Sequence, residues 1–292
     1  KSKYLRPLFK NITSTMVQNP LHSAIQGVKG SFHEEACQIY FKNKNIYYNY
    51  CDTFEQVFQH TKQHEELGFI AIENSLAGSI LPNYASIKQY DLHIIGETYM
   101  PISHQLMVYP GIQLNEIDEI WSHPMALRQC QAFINQNSTK KTVEKEDTAK
   151  SAAQIKENKL KHVAAIASKT AARIYDLDII EPNIETFSNN FTRFLLISKE
   201  KEFSTASNKA TLCFSVNHDI GSLSKALSCL AENKINLTKI QSFPEMGKTW
   251  EYFFYVDILF GSEDVFQSAF NQLKKTVNEL YFLGKYENNL MS

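Results

Sequence analysis

The sequence predicts an α/β protein in two unequal parts, on three observations. Between residues 23 and 200, short apolar runs alternate with segments of helical periodicity. Two of those runs, 68–72 and 163–167, are apolar almost throughout, as strands buried on both faces of a parallel sheet are. From 209 to 287 the order becomes strand, helix, strand, strand, helix, strand, the split βαβ order of ferredoxin-like domains. The stretch 201–208 between them, charged and then small and polar, reads as a linker.

The elements follow in order. Residues 1–22 have weak periodicity and two prolines, and read as an irregular leader. A strand ends in the turn at Gly27, and Ser31-Phe32-His33-Glu34 has the form of a capping box that starts a helix to about Phe41. Asp52-Thr53-Phe54-Glu55 repeats the signal, with Phe54, Val57 and Phe58 on one side of the next helix. Two extended runs between 93 and 109 break at Pro101. Ile120-Trp121 is a short strand, and Pro124 suits the first turn of a helix to about Gln136. Asp147-Thr148 caps a helix to about Glu157, Ser168 opens another, and 191–197 is the last strand of the first part, whose sheet is expected to be largely parallel.

Composition narrows the function. At 292 residues the chain exceeds one small module. Its 43% hydrophobic and 21% charged content is that of a globular protein, and a net charge of −1 gives no basic field for a nucleic acid. No apolar run approaches the roughly 18 residues of a membrane helix, and nothing near the start reads as a signal peptide, so the expected location is cytoplasmic. Five scattered cysteines, without a C-x-x-C, argue for reduced structural thiols rather than disulfides or a zinc site. His60 and His64 stand four apart with no evident third ligand, so no metal is expected; no nucleotide motif appears, and no cofactor is expected.

The chemistry-bearing candidates cluster where strands meet helices. Gly30-Ser31, Asn74-Ser75, Ser122-His123 and Asp147-Thr148 place small polar residues after strands, where helix N-termini can receive a carboxylate. Plain helix capping explains each pair singly. Asn190-Phe191-Thr192-Arg193-Phe194 sets a Thr-Arg pair at a strand start between two phenylalanines. Arg193 could clamp a carboxylate or serve an internal ion pair, and Thr192 could donate a hydrogen bond or a proton.

These segments together resemble prephenate dehydratase: Gly27-Val28-Lys29-Gly30-Ser31-Phe32, Ile72-Glu73-Asn74-Ser75, Ser122-His123-Pro124, Asp147-Thr148-Ala149 and the Asn190–Phe194 block, in that order. The second part resembles an ACT domain through Gly221-Ser222-Leu223 and 235–240. The resemblance implies a cofactor-free enzyme that converts prephenate to phenylpyruvate, carbon dioxide and water. It also implies a two-lobed, periplasmic-binding-protein-like catalytic domain over 23–200, with crossovers near 100–107 and 180–190, and an ACT domain over 209–287. Within it, Thr192, Arg193 and Asn74 would be catalytic. Ser31, Glu73, Ser75, Ser122, His123, Thr148, Asn190, Phe191 and Phe194 would line the substrate site, and Phe32 could add an apolar wall. Phenylalanine would bind as effector at Gly221, Ser222, Leu223, Gln241 and Ser242, in a homodimer or homotetramer.

Two segments depart from the family pattern. Met125 stands where a Gln commonly follows Ser-His-Pro, and Gln241-Ser242-Phe243-Pro244 replaces Glu-Ser-Arg-Pro. Two other readings remain open: an arogenate dehydratase, and a two-lobed sensor of small anions or amino acids without catalysis.

Overall fold

The protein is seen in a computed structural model that describes residues 21–42, 44–64, 66–244 and 251–290. The expected leader lies outside these residues apart from its last two, which open the first strand, and so do residues 245–250, between the second and third expected strands of the second part.

Local chemistry sets the early elements. β1 (Leu21–Gln26) leads through a glycine turn to α1 (Phe32–Tyr40). Ser31 Oγ accepts the Glu34 N–H at 3.3 Å, and the Glu34 carboxylate reaches back to the Gly30 N–H at 2.7 Å, so two orphan donors of the helix entrance are satisfied. β2 (Ile46–Cys51), α2 (Phe54–His64), β3 (Leu67–Asn74), a two-residue β4 (Gly78–Ser79), α3 (Leu81–Gln89) and β5 (His93–Pro101) follow. Residues 67–72 of β3 are all buried, as their apolar run requires.

The chain then crosses to a second sheet: β6 (Gln105–Val108), β7 (Glu119–Ser122), α4 (Pro124–Gln129), α5 (Gln131–Gln136), β8 (Lys141–Glu144), α6 (Thr148–Asn158), β9 (Val163–Ala167), α7 (Lys169–Ile174) and β10 (Asp178–Glu181). It returns as β11 (Phe191–Ser198) to lie between β5 and β3. The helix expected over 124–136 is two short helices, because the chain departs from helical geometry at Cys130.

The two sheets share one plan. Read from β2, the first runs β2-β1-β3-β11-β5; read from β8, the second runs β8-β7-β9-β6-β10. In each, the first two pairings are parallel and the last two antiparallel. The sheets are therefore mixed rather than largely parallel, because each crossover delivers a strand in the reverse sense. The crossovers run side by side: Ile102 N–H donates to Asn190 O at 2.7 Å, and Ile184 N–H to His104 O at 2.9 Å.

The remaining chain forms β12 (Lys209–Ser215), α8 (Ser222–Glu232), β13 (Asn236–Pro244), β14 (Tyr252–Leu259), α9 (Glu263–Thr276) and β15 (Glu279–Tyr286), with strand order β13-β14-β12-β15 and every pairing antiparallel. This unit does not hang free. β15 joins β5 in parallel where Gly284 faces Ile94, making one ten-stranded sheet among the described residues. Gly284 has φ +151°, and a Cβ there would lie 2.0 Å from Ile94 O, so only glycine allows the approach. The cores merge as well: Ile72 and Ile94 of the first sheet and Tyr84 of α3 share a cluster with Cys213, Tyr255 and Leu283. The 201–208 segment is pinned by Phe203, whose ring meets His93 and Phe282 edge-on.

Candidate active site

Alternation along one strand sorts the sequence candidates. On β11, Thr192 stands opposite Asn74 of β3 and Met100 of β5, and Arg193 stands opposite Glu73 and Tyr99. Successive side chains point to opposite faces. Thr192 and Asn74 therefore share one face, while Arg193 and Glu73 share the other.

The Thr192 face carries a closed ring of amides. Asn74 Nδ2 donates to Asn190 Oδ1 (2.7 Å), Asn190 Nδ2 donates to Gln129 Oε1 (3.0 Å), and Gln129 Nε2 donates to Asn74 Oδ1 (3.2 Å). Asn74 comes from the first lobe, Asn190 from the second crossover and Gln129 from the second lobe. Asn74 Oδ1 also accepts the Leu76 and Ala77 N–H groups at 3.0 and 2.9 Å. Turning this amide over would set an NH2 group against two N–H donors, so its orientation is fixed. Asn74 Nδ2 then donates to Thr192 Oγ1 at 3.0 Å. One lone pair of Thr192 is occupied, and its O–H meets no acceptor among the described residues. Ser75 Oγ accepts the Phe191 N–H at 2.9 Å and donates to Asn189 O at 3.0 Å, which ties the β3 turn to the start of β11.

A cavity of about 310 Å³ abuts this ring, with Leu76 and Ala77 on one side, Met125, Arg128, Gln129 and Gln131 on another, and Thr186 and Phe187 of the crossover closing it. The lobes also meet at Ser168 Oγ, which donates to Gly30 O (2.8 Å), and at Tyr175 OH, which donates to Lys29 O (2.7 Å).

The Arg193 face is a buried ion cluster, and it corrects two sequence assignments. Arg193 is 3% exposed; Nε donates to Glu97 Oε2 (2.7 Å), Nη1 pairs with Asp257, and Nη2 donates to Tyr286 OH (2.9 Å). Lys209 Nζ binds both Glu97 oxygens, and Thr211 Oγ1 donates to Asp257 Oδ1 at 2.7 Å. Burial alone would push the Asp257 carboxyl up, but Arg193 and Lys209 outweigh it and hold it below 3.8. Every nitrogen of Arg193 is engaged within the chain, so it is not placed to clamp a substrate carboxylate; it fastens β11 to the C-terminal unit. Glu73 points the same way, with Lys239 Nζ at 2.7 Å.

The remaining candidates divide. The Ser122 side chain is buried and donates to Ile166 O at 2.6 Å, joining β7 to β9. Ser31, His123 and Asp147 accept N–H groups of their own helices, from Glu34, Met125 and Lys150. Their side chains act as caps, and Thr148 is simply the first residue of α6. Burial raises the Asp147 carboxyl above 3.8, against two backbone donors. The Asn74-Ser75 pair closes a turn instead of starting a helix. Phe194 belongs to the core, stacked on Phe69 at 5.5 Å, so it lines no cleft. Phe191 is half-exposed at the start of β11. Phe32 meets His104 edge-on. In the C-terminal unit, Gly221 precedes α8 at φ +82°, and Gln241 and Ser242 lie on β13, the edge strand of the sheet.

The sequence reading missed Gln129 and His104. His104 Nε2 is 2.8 Å from Gln129 Oε1. Gln129 lies one helical turn beyond Met125, on the same face, and that spacing was the available signal.

Comparison with known proteins gives the arrangement its family. Residues 23–202 match the family model described as prephenate dehydratase. The chain is 33% identical over 297 residues to arogenate dehydratase/prephenate dehydratase 2, chloroplastic, of Arabidopsis thaliana, which covers 96% of this chain and 77% of that protein. A prephenate dehydratase structure from Arthrobacter aurescens in complex with L-Phe matches with a TM-score of 0.83 at 25% identity, covering 92% of this chain and 90% of the other. GqqA, described as a novel type of quorum quenching acylase, matches with a TM-score of 0.82 at 28% identity, covering 92% and 98%. The shared fold is α/β, two-lobed and periplasmic-binding-protein-like. With a family model matched over more than half its length and a relative 33% identical along nearly all of it, the chain belongs to the prephenate dehydratase family.

Proposed function

We propose that the protein catalyses the decarboxylative dehydration of prephenate to phenylpyruvate, with the reaction centred on Thr192. The observation that carries this is the direction of the Asn74–Thr192 hydrogen bond: Asn74 donates, so the Thr192 proton is free for the departing oxygen. In the reaction the bond from the ring to the carboxylate breaks and carbon dioxide leaves. Its electron pair enters the ring, the carbon–hydroxyl bond opposite breaks, and the hydroxide leaves as water with one proton taken up. Aromatisation makes the step downhill, so the protein's task is to hold the substrate and stabilise the leaving oxygen. A neutral threonine is a weak acid, and Thr192 acts by a hydrogen bond that strengthens as charge develops on that oxygen.

Arg128, on the wall of the cavity beside Gln129, takes the carboxylate-holding role in place of Arg193. Met125 on the same wall supplies an apolar surface for the ring. The C-terminal βαββαβ unit is read as an ACT domain that binds phenylalanine near Gly221, Ser222, Leu223, Gln241 and Ser242 and assembles the chain into a dimer or tetramer. The phenylalanine-bound Arthrobacter structure supports this reading.

The test is phenylpyruvate formation from prephenate, with and without phenylalanine, by the wild type and by Thr192→Ala. The variant is expected to lose about 100-fold or more in kcat with little change in KM. A kcat near that of the wild type would remove Thr192 from the reaction. Arogenate assayed in parallel separates the two dehydratase activities, and prephenate binding without turnover would mark a sensor.

A further inference from the structure

We propose that His104 is a positioning residue: its Nε2–H, donated to Gln129, holds the second lobe's member of the amide ring in place and so keeps that lobe in register with Asn74 and Thr192. The proposal rests on the reading of Thr192 given above.

A ring of three amides can run in two senses. In the sense observed, Asn74 donates to Thr192. In the reverse sense Asn74 would present its carbonyl, and the Thr192 hydroxyl would be consumed in donating to it. The first-lobe corner of the ring is fixed by the Leu76 and Ala77 N–H groups. The second-lobe corner has no backbone donor of that kind among the described residues. There the Gln129 carbonyl accepts from Asn190 Nδ2 at 3.0 Å and lies 2.8 Å from His104 Nε2. Asn74 Oδ1, itself fixed, takes the Gln129 N–H, so Gln129 turns its carbonyl to Asn190 and His104.

The geometry also fixes the His104 tautomer. Gln129 Oε1 can only accept, so Nε2 must carry a proton. Nδ1 is buried without a hydrogen-bond partner among the described residues, and a bare lone pair there costs less than an orphaned N–H would. Burial holds the ring's pKa below 6.5, against the bond to Gln129 and the Glu185 carboxylate, which accepts the His104 backbone N–H at 2.8 Å. His104 is thus neutral, with its proton on Nε2.

The position explains why the device belongs here. His104 lies on the first crossover and Asn190 on the second, and the two strands of chain are hydrogen-bonded to each other. Gln129 rides on the second lobe, and a shift of about 1 Å between lobes would open the ring unless the crossovers carried Gln129 with them.

The experiment compares His104→Met with His104→Gln, two side chains of similar size of which only glutamine can donate at the Nε2 position. His104→Met is expected to lose about 10- to 100-fold in kcat with KM within about twofold of wild type, and His104→Gln to recover most of the loss. Equal kcat in the two variants, or a loss confined to KM, overturns the proposal. Because a buried substitution can unfold the protein, the wild type supplies a second readout. Long-range proton–nitrogen spectra of histidine-labelled protein should show the Nε2–H tautomer for His104, and an Nδ1–H tautomer overturns the proposal. Thr192→Ala separates the two layers: a kcat near wild type there removes the reading of Thr192, whereas a large loss there beside an unaffected His104→Met removes only the role of His104.

Discussion

The ion cluster under β11 gives a prediction whose size follows from the structure. Asp257 is 1% exposed, and its carboxylate oxygens are committed to Arg193 and to Thr211 Oγ1 at 2.7 Å. Asp257→Asn keeps the shape and one acceptor but removes the charge. Arg193 and Lys209 are then left with Glu97 as their buried counter-charge. A pair about 4 Å apart interacts by about 4 kcal/mol at an effective dielectric constant of 20, and losing one partner of a buried pair costs about 3–5 kcal/mol. Taking about 3 kcal/mol, with an m-value of about 3 kcal/mol/M, the urea midpoint should fall by about 1 M. Arg193→Gln should cost a similar amount, and the double variant should cost about 2 kcal/mol less than the sum. Urea unfolding followed by circular dichroism measures all four corners of this cycle. A coupling below about 0.5 kcal/mol would refute the view that the two residues serve one another. The cycle also bears on function. Were Arg193 a substrate clamp, its variant would raise KM for prephenate and Asp257→Asn would not; the structure expects the two to behave alike.

Other outcomes follow from single residues. Gly30→Ala adds a Cβ 3.0 Å from the Ala171 Cα at φ +86°, so strain falls where the lobes meet; kcat/KM should drop about tenfold or more, and an unchanged value would show that the contact is not needed for turnover. Arg128→Ala should raise KM for prephenate about tenfold while kcat holds, and a kcat effect alone would displace it from ground-state binding. Burial pushes His33 down to about 3, with Nε2 accepting the Ala71 N–H at 3.2 Å. Its neutral form therefore supports folding above pH 6.5, and that support drains away as pH falls from 6.5 towards 3, at up to about 1.4 kcal/mol per unit. Urea titrations at pH 7, 6, 5 and 4 should show a steeper decline for the wild type than for His33→Gln, and parallel curves would contradict the assignment.

What the sequence disclosed and what it hid divide by distance along the chain. The caps at Ser31, Asp147 and Ser168 are written within four residues of their targets, and all three appear. The buried β3 and β9 are legible because strands shielded on both faces are apolar at every position. Asn74 and Thr192 stand out from local pattern and Asn190 from the family resemblance, and the three come together, yet Gln129, which closes their ring, stands 55 and 61 residues from its partners. Arg193 was misassigned for the same reason. Its partner Asp257 is 64 residues away inside an apolar strand, with nothing nearby in sequence to announce an ion pair. The mixed sense of both sheets was hidden too, since strand direction is set by which sheet a crossover enters.

The alternation along β11 has a consequence for how this stretch can vary. Thr192 and Arg193 are read from opposite sides, Arg193 by the C-terminal unit and Thr192 by the amide ring. A slip of one residue would exchange them, burying a hydroxyl among charges and thrusting a guanidinium into the place where a leaving oxygen must be received. Insertions and deletions here should be lethal to activity even where the protein still folds. The segment behaves as a line of print legible from both sides of the page: no letter can move without spoiling two messages.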